Sequence, residues 1–498
     1  MNNTLVMGID VGTQSSKVLI YDVGNKTIAA MASSAHDIIR QSDGTSEQDP
    51  AWWEAAIIDG ISKLDAALVA KVQAIGVSGQ QHGFVPLGNT GVLYNAKLWN
   101  DTSTSAECAE IEERFGGASK MIAEVGNPML PGYTAPKIAW LKNNQPELYS
   151  QLTAILLPHD YINYLLTGVL AMEHGDASGT GLLNIRTRTW DDAVLRAVDP
   201  DRNLTDCLPP LIDAAAVHGY VTEDASLRFG IPTGIPVCTG GGDNMMAAIG
   251  TGCTKAGTVS ASMGTSGTIF AYADRPVIDD NGEVAAFCDS TGGWLPLVCT
   301  MNCTVATELV RDIFEISVQE LDKDAASIPP GSDGVLMLPF FTGERTPNLP
   351  DAKGSIIGLT PGNFTRGHLA RAAMESALFG LRYGLDAIAG NGLSPKTIHL
   401  TGGGAKSQLW RQMAADILGC NVRVPQVEEA AAFGAALKAL WMLKNTEQST
   451  FMAEITEAHV TLSDELISPN SQSQQTYNHA YQKYLNAVQT IPPLFSKK

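Results

Sequence analysis

The sequence predicts an α/β protein built from two domains of one plan that face each other across a cleft. Three observations carry that expectation. Leu5-Val-Met-Gly-Ile-Asp10 and Lys17-Val-Leu-Ile-Tyr-Asp22 read as apolar strands joined by the tight polar turn Val11-Gly-Thr-Gln-Ser-Ser16. The same pattern returns 252 residues on, in Ser260–Asp274, with Gly264-Thr265 falling on Gly12-Thr13 and Asp274 on Asp22, as in a duplicated unit. A strand running into three glycines also occurs twice, at Val237–Gly242 and at Thr397–Gly404.

Length and composition agree. A chain of 498 residues exceeds one ordinary core. The expected partition is 1–250, 251–445 and a helical tail, 446–498. Hydrophobic residues make up 44% and charged residues 17%, a globular composition. No apolar run reaches the roughly 18 residues of a membrane helix. Met1-Asn-Asn-Thr4 has no basic leader and passes directly into a strand, so a cytoplasmic protein is expected. A net charge of −19 argues against nucleic acid and anionic membranes as partners. It leaves room for a nucleotide held locally by backbone N–H groups. The eight cysteines contain no CxxC pair and read as reduced, mostly buried small hydrophobes, with no metal site expected of them.

Taken in order, the first hairpin turn offers Gly12, hydroxyls and N–H groups that suit a phosphate. Asp10 beside it suits Mg²⁺ held through water, because that ion needs few carboxylates. An ordinary polar hairpin is the alternative. Asp49 then caps a helix with Pro50 at its first position, running to about Val69 with Ile57, Ile61, Leu64 and Leu68 on one face. Val72–Ser78 is the next strand, and it ends in Gly79-Gln-Gln-His-Gly83. Gln81 and His82 are thus polar groups at a strand end, where open α/β sheets bind ligands; a structural histidine is the alternative. Leu98-Trp-Asn-Asp101 is another polar tip, helices start near Gly132 and Leu156, and Gly175–Gly181 reads as a solvated connection.

The reacting atoms are expected at Val237-Cys-Thr-Gly-Gly-Gly-Asp-Asn244. Asp243 stands at the mouth of a strand–glycine–helix joint, where a carboxylate can take a proton from a bound hydroxyl. Its alternative is a plain helix cap. In the second triplet Ala405-Lys406 follow the glycines instead of an acid, so Gly402–Gly404 suits the flat face of a base or ribose. Two phosphate-holding turns across a cleft would clamp a nucleoside triphosphate. Gly250-Thr-Gly252 reads either as the hinge or as a helix end. Tyr477, Tyr481 and Tyr484 form the docking face of a last helix.

These motifs, in this order, resemble the FGGY family of carbohydrate kinases, most like the xylulose kinases, over about residues 5–445. Gly132–Asn144, with Lys137 and Trp140, resembles the family's first signature. Gly354–Leu359, His368-Leu369 and Ala372–Glu375 resemble the second. Glu47–Pro50 with Trp52-Trp53, Gly79–Gly83, Leu98–Asp101, Gly240–Asn244 and Gly343–Pro347 are similar to xylulose-kinase patterns. The resemblance implies two actin-like, ribonuclease-H-like domains with ATP, Mg²⁺ and D-xylulose in the cleft between them. It implies Asp243 as general base and Asp10 near the metal. Phosphate would bind at Gly12, Thr13, Gly264 and Thr265, adenosine at Gly403 and Gly404, and the sugar at Gln81, His82, Asp243 and Asn244. A homodimer is compatible with the sequence. Many bacterial xylulose kinases carry Met where this chain has Gln81, so ribulose, another ketopentose or a polyol is the alternative substrate. A sugar- and ATP-binding sensor without turnover is the alternative of another class, and the presence of both Asp10 and Asp243 speaks against it.

Overall fold

The computed structural model describes residues 4–495. Its first sheet has the order β5-β6-β4-β1-β2-β3, where β1 is Leu5–Val11, β2 Ser15–Asp22, β3 Thr27–Ala35, β4 Val72–Gly79, β5 Val217–Tyr220 and β6 Pro236–Cys238. The β1–β2–β3 meander is antiparallel, and β4 and β6 join it in parallel on the other side of β1. The second sheet repeats this plan in the order β9-β8-β7-β10-β11, with β7 Thr258–Met263, β8 Gly267–Ala271, β9 Leu297–Thr300, β10 Thr397–Thr401 and β11 Asn421–Arg423. Here too the first three strands are antiparallel, and β10 and β11 run parallel to β7. The doubled, ribonuclease-H-like order is the duplication that the two hairpins predict.

One detail of the expected overlay shifts. Val11 faces Ser16 across the first turn, whereas Met263 faces Gly267 across the second. The second turn is a residue shorter. Gly264-Thr265 therefore matches Gly12-Thr13, but Asp274 falls one place beyond the position of Asp22.

Some helices of the first unit begin where a carboxylate caps them. In α1 (Pro50–Ser62) the Asp49 carboxylate accepts from the Ala51 N–H at 2.9 Å, and Ile57 and Ile61 are buried. The expected continuation to Val69 is interrupted, because Asp65 caps a new short turn at Ala66–Val69. Helices α2 (Thr134–Asn144) and α3 (Pro158–Thr167) stand where expected. The stretch 175–181, expected to be a solvated connection, is instead largely buried and begins in α4 (His174–Ser178). Glu173 accepts from the Gly175 and Asp176 N–H groups at 2.8 and 2.6 Å, and Asp176 pairs inward with His159. Satisfying these polar groups inside the protein removes their need for water. Helix α5 (Asp243–Gly250) follows the first glycine triplet.

In the second unit α6 (Arg366–Gly390) is buried along most of its length. The chain then crosses back. Helix α7 (Ala430–Glu447) follows the last strand of the second sheet yet packs on β1 and β4 of the first. A Cβ on Gly8 or Gly76 would run into the carbonyl oxygens of Ala432 or Ala435. One on Gly434 would meet that of Met246, and one on Gly250 that of Ala430. These four glycines are there for close backbone approach. Helix α8 (Met452–His459) continues in the first core, while α9 (Ser471–Thr490) docks on the second. Tyr477, Tyr481 and Tyr484 of α9 are buried against Phe379 of α6. The expected boundaries at 250 and 445 follow chain order, whereas in space α7 and α8 lie with the first sheet. No helix among the described residues is long and apolar enough to cross a membrane.

Candidate active site

Parallel register brings the chemistry to one edge. Asp10 of β1 stands beside Ser78 of β4, and Ser78 in turn pairs with Gly241, two residues before Asp243. Ser78 Oγ donates to Asp10 Oδ1 at 2.7 Å. Next to this edge Thr13, Gln81, His82, Asp243, Asn244, Gly264 and Thr265 line a single cavity of about 410 Å³. Asp10 is buried, with Gly12 close beside it. Gly403 and Gly404 are not among the lining residues. Gly403 is exposed with open space over its backbone, and Gly404 is buried against Met263 and Trp410.

Asp243 is the first residue of α5, directly after the N-cap Gly242. Its Oδ1 accepts from the Asn244 backbone N–H at 2.8 Å and from Asn244 Nδ2 at 3.2 Å. The carboxylate thus satisfies one free N–H of the helix start, as a cap would, and also faces the cavity. Burial, then the neighbouring Asp10 and Asp176 carboxylates, push its pKa up to about 7, against the Asn244 and Gln81 N–H groups that lower it. A base poised near neutral pH combines the deprotonated state with enough affinity for a proton.

Asp176 belongs to a buried row that local sequence does not announce. His159 lies between Asp160, 2.9 Å from Nε2, and Asp176, 2.8 Å from Nδ1. Burial alone would discharge the imidazole, but the two carboxylates raise it to about 10. Burial raises Asp176 to about 6. The partners stand 17 residues apart in different elements, so only packing brings them together.

The loop after β4 is held in an unusual shape. His82 has φ +64° and is buried between Tyr133 and Phe287, at ring separations of 5.1 and 5.4 Å. Lys137, the cation of the first signature, donates to the His82 and Gly132 carbonyls, both at 2.7 Å. Burial lowers the Lys137 ammonium to about 7. Burial, with Lys137 and Arg345 nearby, drops His82 well below its ordinary range, so the ring is neutral at pH 7. Beside it Gln81 Oε1 accepts from Asn244 Nδ2 at 2.7 Å, while Gln81 Nε2 is buried without a protein partner. That leaves one oriented amide donor for a ligand.

The two turns are closed by their own backbone bonds, Gly12 N–H to Ser15 O and Gly264 N–H to Ser266 O. The Thr13 hydroxyl is engaged by Trp99 Nε1 at 3.0 Å and Gln80 Oε1 at 3.3 Å. Any anion at this turn would therefore meet backbone N–H more than that hydroxyl. Trp99, Phe287, Cys299 and Arg345 line the same cavity and were not assigned from sequence. Trp99 and Arg345 sit in the Leu98–Asp101 and Gly343–Pro347 motifs, which were the available signal.

Two family models match the chain. The N-terminal domain of the FGGY family of carbohydrate kinases covers residues 5–250, and the C-terminal domain of that family covers 259–443. The chain belongs to this family. It is a carbohydrate kinase on two actin-like domains, as its motifs predict. The xylulose kinase of Haemophilus influenzae is 42% identical over 98% of this chain and 100% of its own length. The ligand-bound xylulose kinase of Lactobacillus acidophilus superimposes with a TM-score of 0.90 at 27% identity, covering 99% of this chain and 100% of that one. A gluconate kinase from Lactobacillus acidophilus superimposes with the same TM-score at 26% identity, covering 99% of both chains. Fold alone therefore does not choose the sugar.

Proposed function

We propose that this kinase transfers the γ-phosphoryl group of ATP to the terminal hydroxyl of D-xylulose, giving the 5-phosphate. The observation that carries the reading is Asp243, raised to about 7, in one cavity with Gly-Thr turns from both sheets. The many xylulose kinases among the relatives point to the same sugar.

In this mechanism Gln81 Nε2, His82 and Asn244 hold the sugar, and Asp243 orients its terminal hydroxyl. As that oxygen attacks the γ-phosphorus, Asp243 takes its proton and ADP leaves. The transition state of such transfers is loose, so catalysis is mostly positioning and charge stabilisation. The turns at Gly12-Thr13 and Gly264-Thr265 supply backbone dipoles to the phosphates, and the open face of Gly403 takes the adenosine over the buried Gly404. The residues fit Mg²⁺. Asp10 has one oxygen occupied by Ser78 and, among the described residues, no protein donor on the other, which suits an ion that keeps most of its water. When bound, the ion neutralises charge on the phosphoryl oxygens.

A coupled ADP-release assay across D-xylulose, ribulose, xylitol, glycerol and no sugar tests the reading. D-Xylulose is expected to give the highest kcat/KM. A higher value for ribulose or a polyol would assign the enzyme to that sugar, the alternative that Gln81 keeps open.

A further inference from the structure

The second unit sends into the cavity a cation that the mechanism above does not use. Arg345 lines the cavity together with Gln81, His82 and Asp243 of the first unit. Its backbone is firmly held. The buried Glu344 accepts through Oε1 from the N–H groups of Arg345 at 2.8 Å and Met301 at 2.6 Å. Through Oε2 it accepts from Asn302 Nδ2 at 3.1 Å, and that amide also donates to the Gly343 carbonyl at 2.7 Å. The half-buried guanidinium, by contrast, meets no acceptor and no carboxylate among the described residues, in a chain of net charge −19. The Arg345 backbone is anchored and its side-chain donors have no acceptor among the described residues, so they are available to a ligand in the cavity.

The position of its charge tells which part of the ligand it reaches. Arg345 lines the cavity together with His82, Phe287 and Cys299, its charge reaches His82 and Tyr133, and Cys299 lies within reach of Asp243 as well. Arg345 thus shares its cavity with the Gln81–His82 wall, where Gln81 Nε2 is also a donor without a partner among the described residues. A guanidinium only donates, and a ketone oxygen only accepts.

We propose that Arg345 is a substrate-contacting residue that donates to the sugar oxygens remote from the transferred phosphoryl group, the ketone among them. The sugar then bridges the two units, with Gln81 and His82 on one side and Arg345 on the other. This rests on the xylulose-kinase reading of the cavity.

The test compares the wild type with Arg345→Ala and Arg345→Lys in steady-state assays with D-xylulose, xylitol and ATP, alongside thermal melting. Arg345→Ala is expected to raise KM for D-xylulose at least tenfold and to keep KM for ATP within twofold. It is also expected to reduce the preference for D-xylulose over xylitol at least fivefold. Arg345→Lys recovers part of each loss, and it carries the same readouts if the alanine variant does not fold. A fall in kcat with an unchanged sugar KM would overturn the proposal in favour of a phosphoryl contact. Unchanged constants in both variants would overturn it outright. Absence of D-xylulose-dependent ADP release by the wild type would instead sink the underlying substrate reading, independently of either variant.

Discussion

Lys438 of α7 donates through Nζ to the carbonyl oxygen of Gly240 at 2.5 Å, three residues before Asp243. The ammonium is fully buried, and burial lowers its pKa. A helix that follows the second sheet in the chain therefore holds the bend that presents Asp243, the proposed base, in the first. Removing the donor leaves a buried carbonyl unpaired. Lys438→Met is expected to cost roughly 1–3 kcal/mol of stability and to lower kcat more than it raises either KM. Melting curves and steady-state kinetics on the same preparation check both parts, and an unchanged kcat would detach α7 from the site.

Asp243→Asn keeps shape and hydrogen bonding but not proton affinity. Its kcat is expected to fall about 10²–10⁴-fold, with sugar and ATP binding retained in calorimetry. In the wild type the raised pKa fixes the sign of the pH dependence. The carboxyl holds its proton below about pH 7, so kcat/KM falls as the medium is made more acidic than that and levels off above it. A profile flat from pH 5.5 to 8, or a near-normal kcat for the variant, would remove Asp243 from proton transfer.

In the proposed mechanism His82 orients the sugar without moving protons, and its left-handed backbone narrows the choice of variant. Asn tolerates φ near +64° better than most residues. His82→Asn is therefore expected to raise KM for D-xylulose at least tenfold while KM for ATP stays within about twofold, the pattern of lost uniform binding. The opposite split would move this loop to the nucleotide side.

Sugar binding is expected to close the cleft, since water is small enough to reach Asp243 whenever the site is assembled. Gly250-Thr-Gly252 reads from sequence as either the hinge or a helix end, and α5 does end at Gly250. Gly250 is packed against the Ala430 carbonyl, and Gly252, with φ +76°, follows the end of α5. The contact between α5 and α7 is thus a candidate pivot beside the Gly252 backbone. Small-angle scattering with D-xylulose and a non-hydrolysable ATP analogue should show a smaller radius of gyration than the free protein. No change, with rapid sugar-independent ATP hydrolysis, would rule the closure out.

Gly434→Ala tests that pivot directly. The new methyl would strike the Met246 carbonyl, part of a helix backbone with no flexible end to yield. Overpacking of this kind costs about 1–3 kcal/mol or more, read as a lower melting temperature and a reduced kcat. A variant as stable and active as the wild type would show that α5 and α7 separate freely.

The elements that local chemistry controls were legible in the chain. Asp49-Pro50 starts α1 because a carboxylate satisfies free N–H groups and proline needs none. Apolar runs bounded by glycine made both strand–turn–strand hairpins readable, and their shared Gly-Thr marked the duplication. The strand-end position of Asp243, Gln81 and His82 was readable for the same reason. What depended on distance along the chain was not. The His159–Asp176 pair, the Lys438–Gly240 bond and the unpaired Arg345 have partners or surroundings far off in sequence, and periodicity carries no information about such contacts. Only tertiary packing removes water from these groups. That desolvation lifts Asp243 to about 7, a value its own residue type would never indicate.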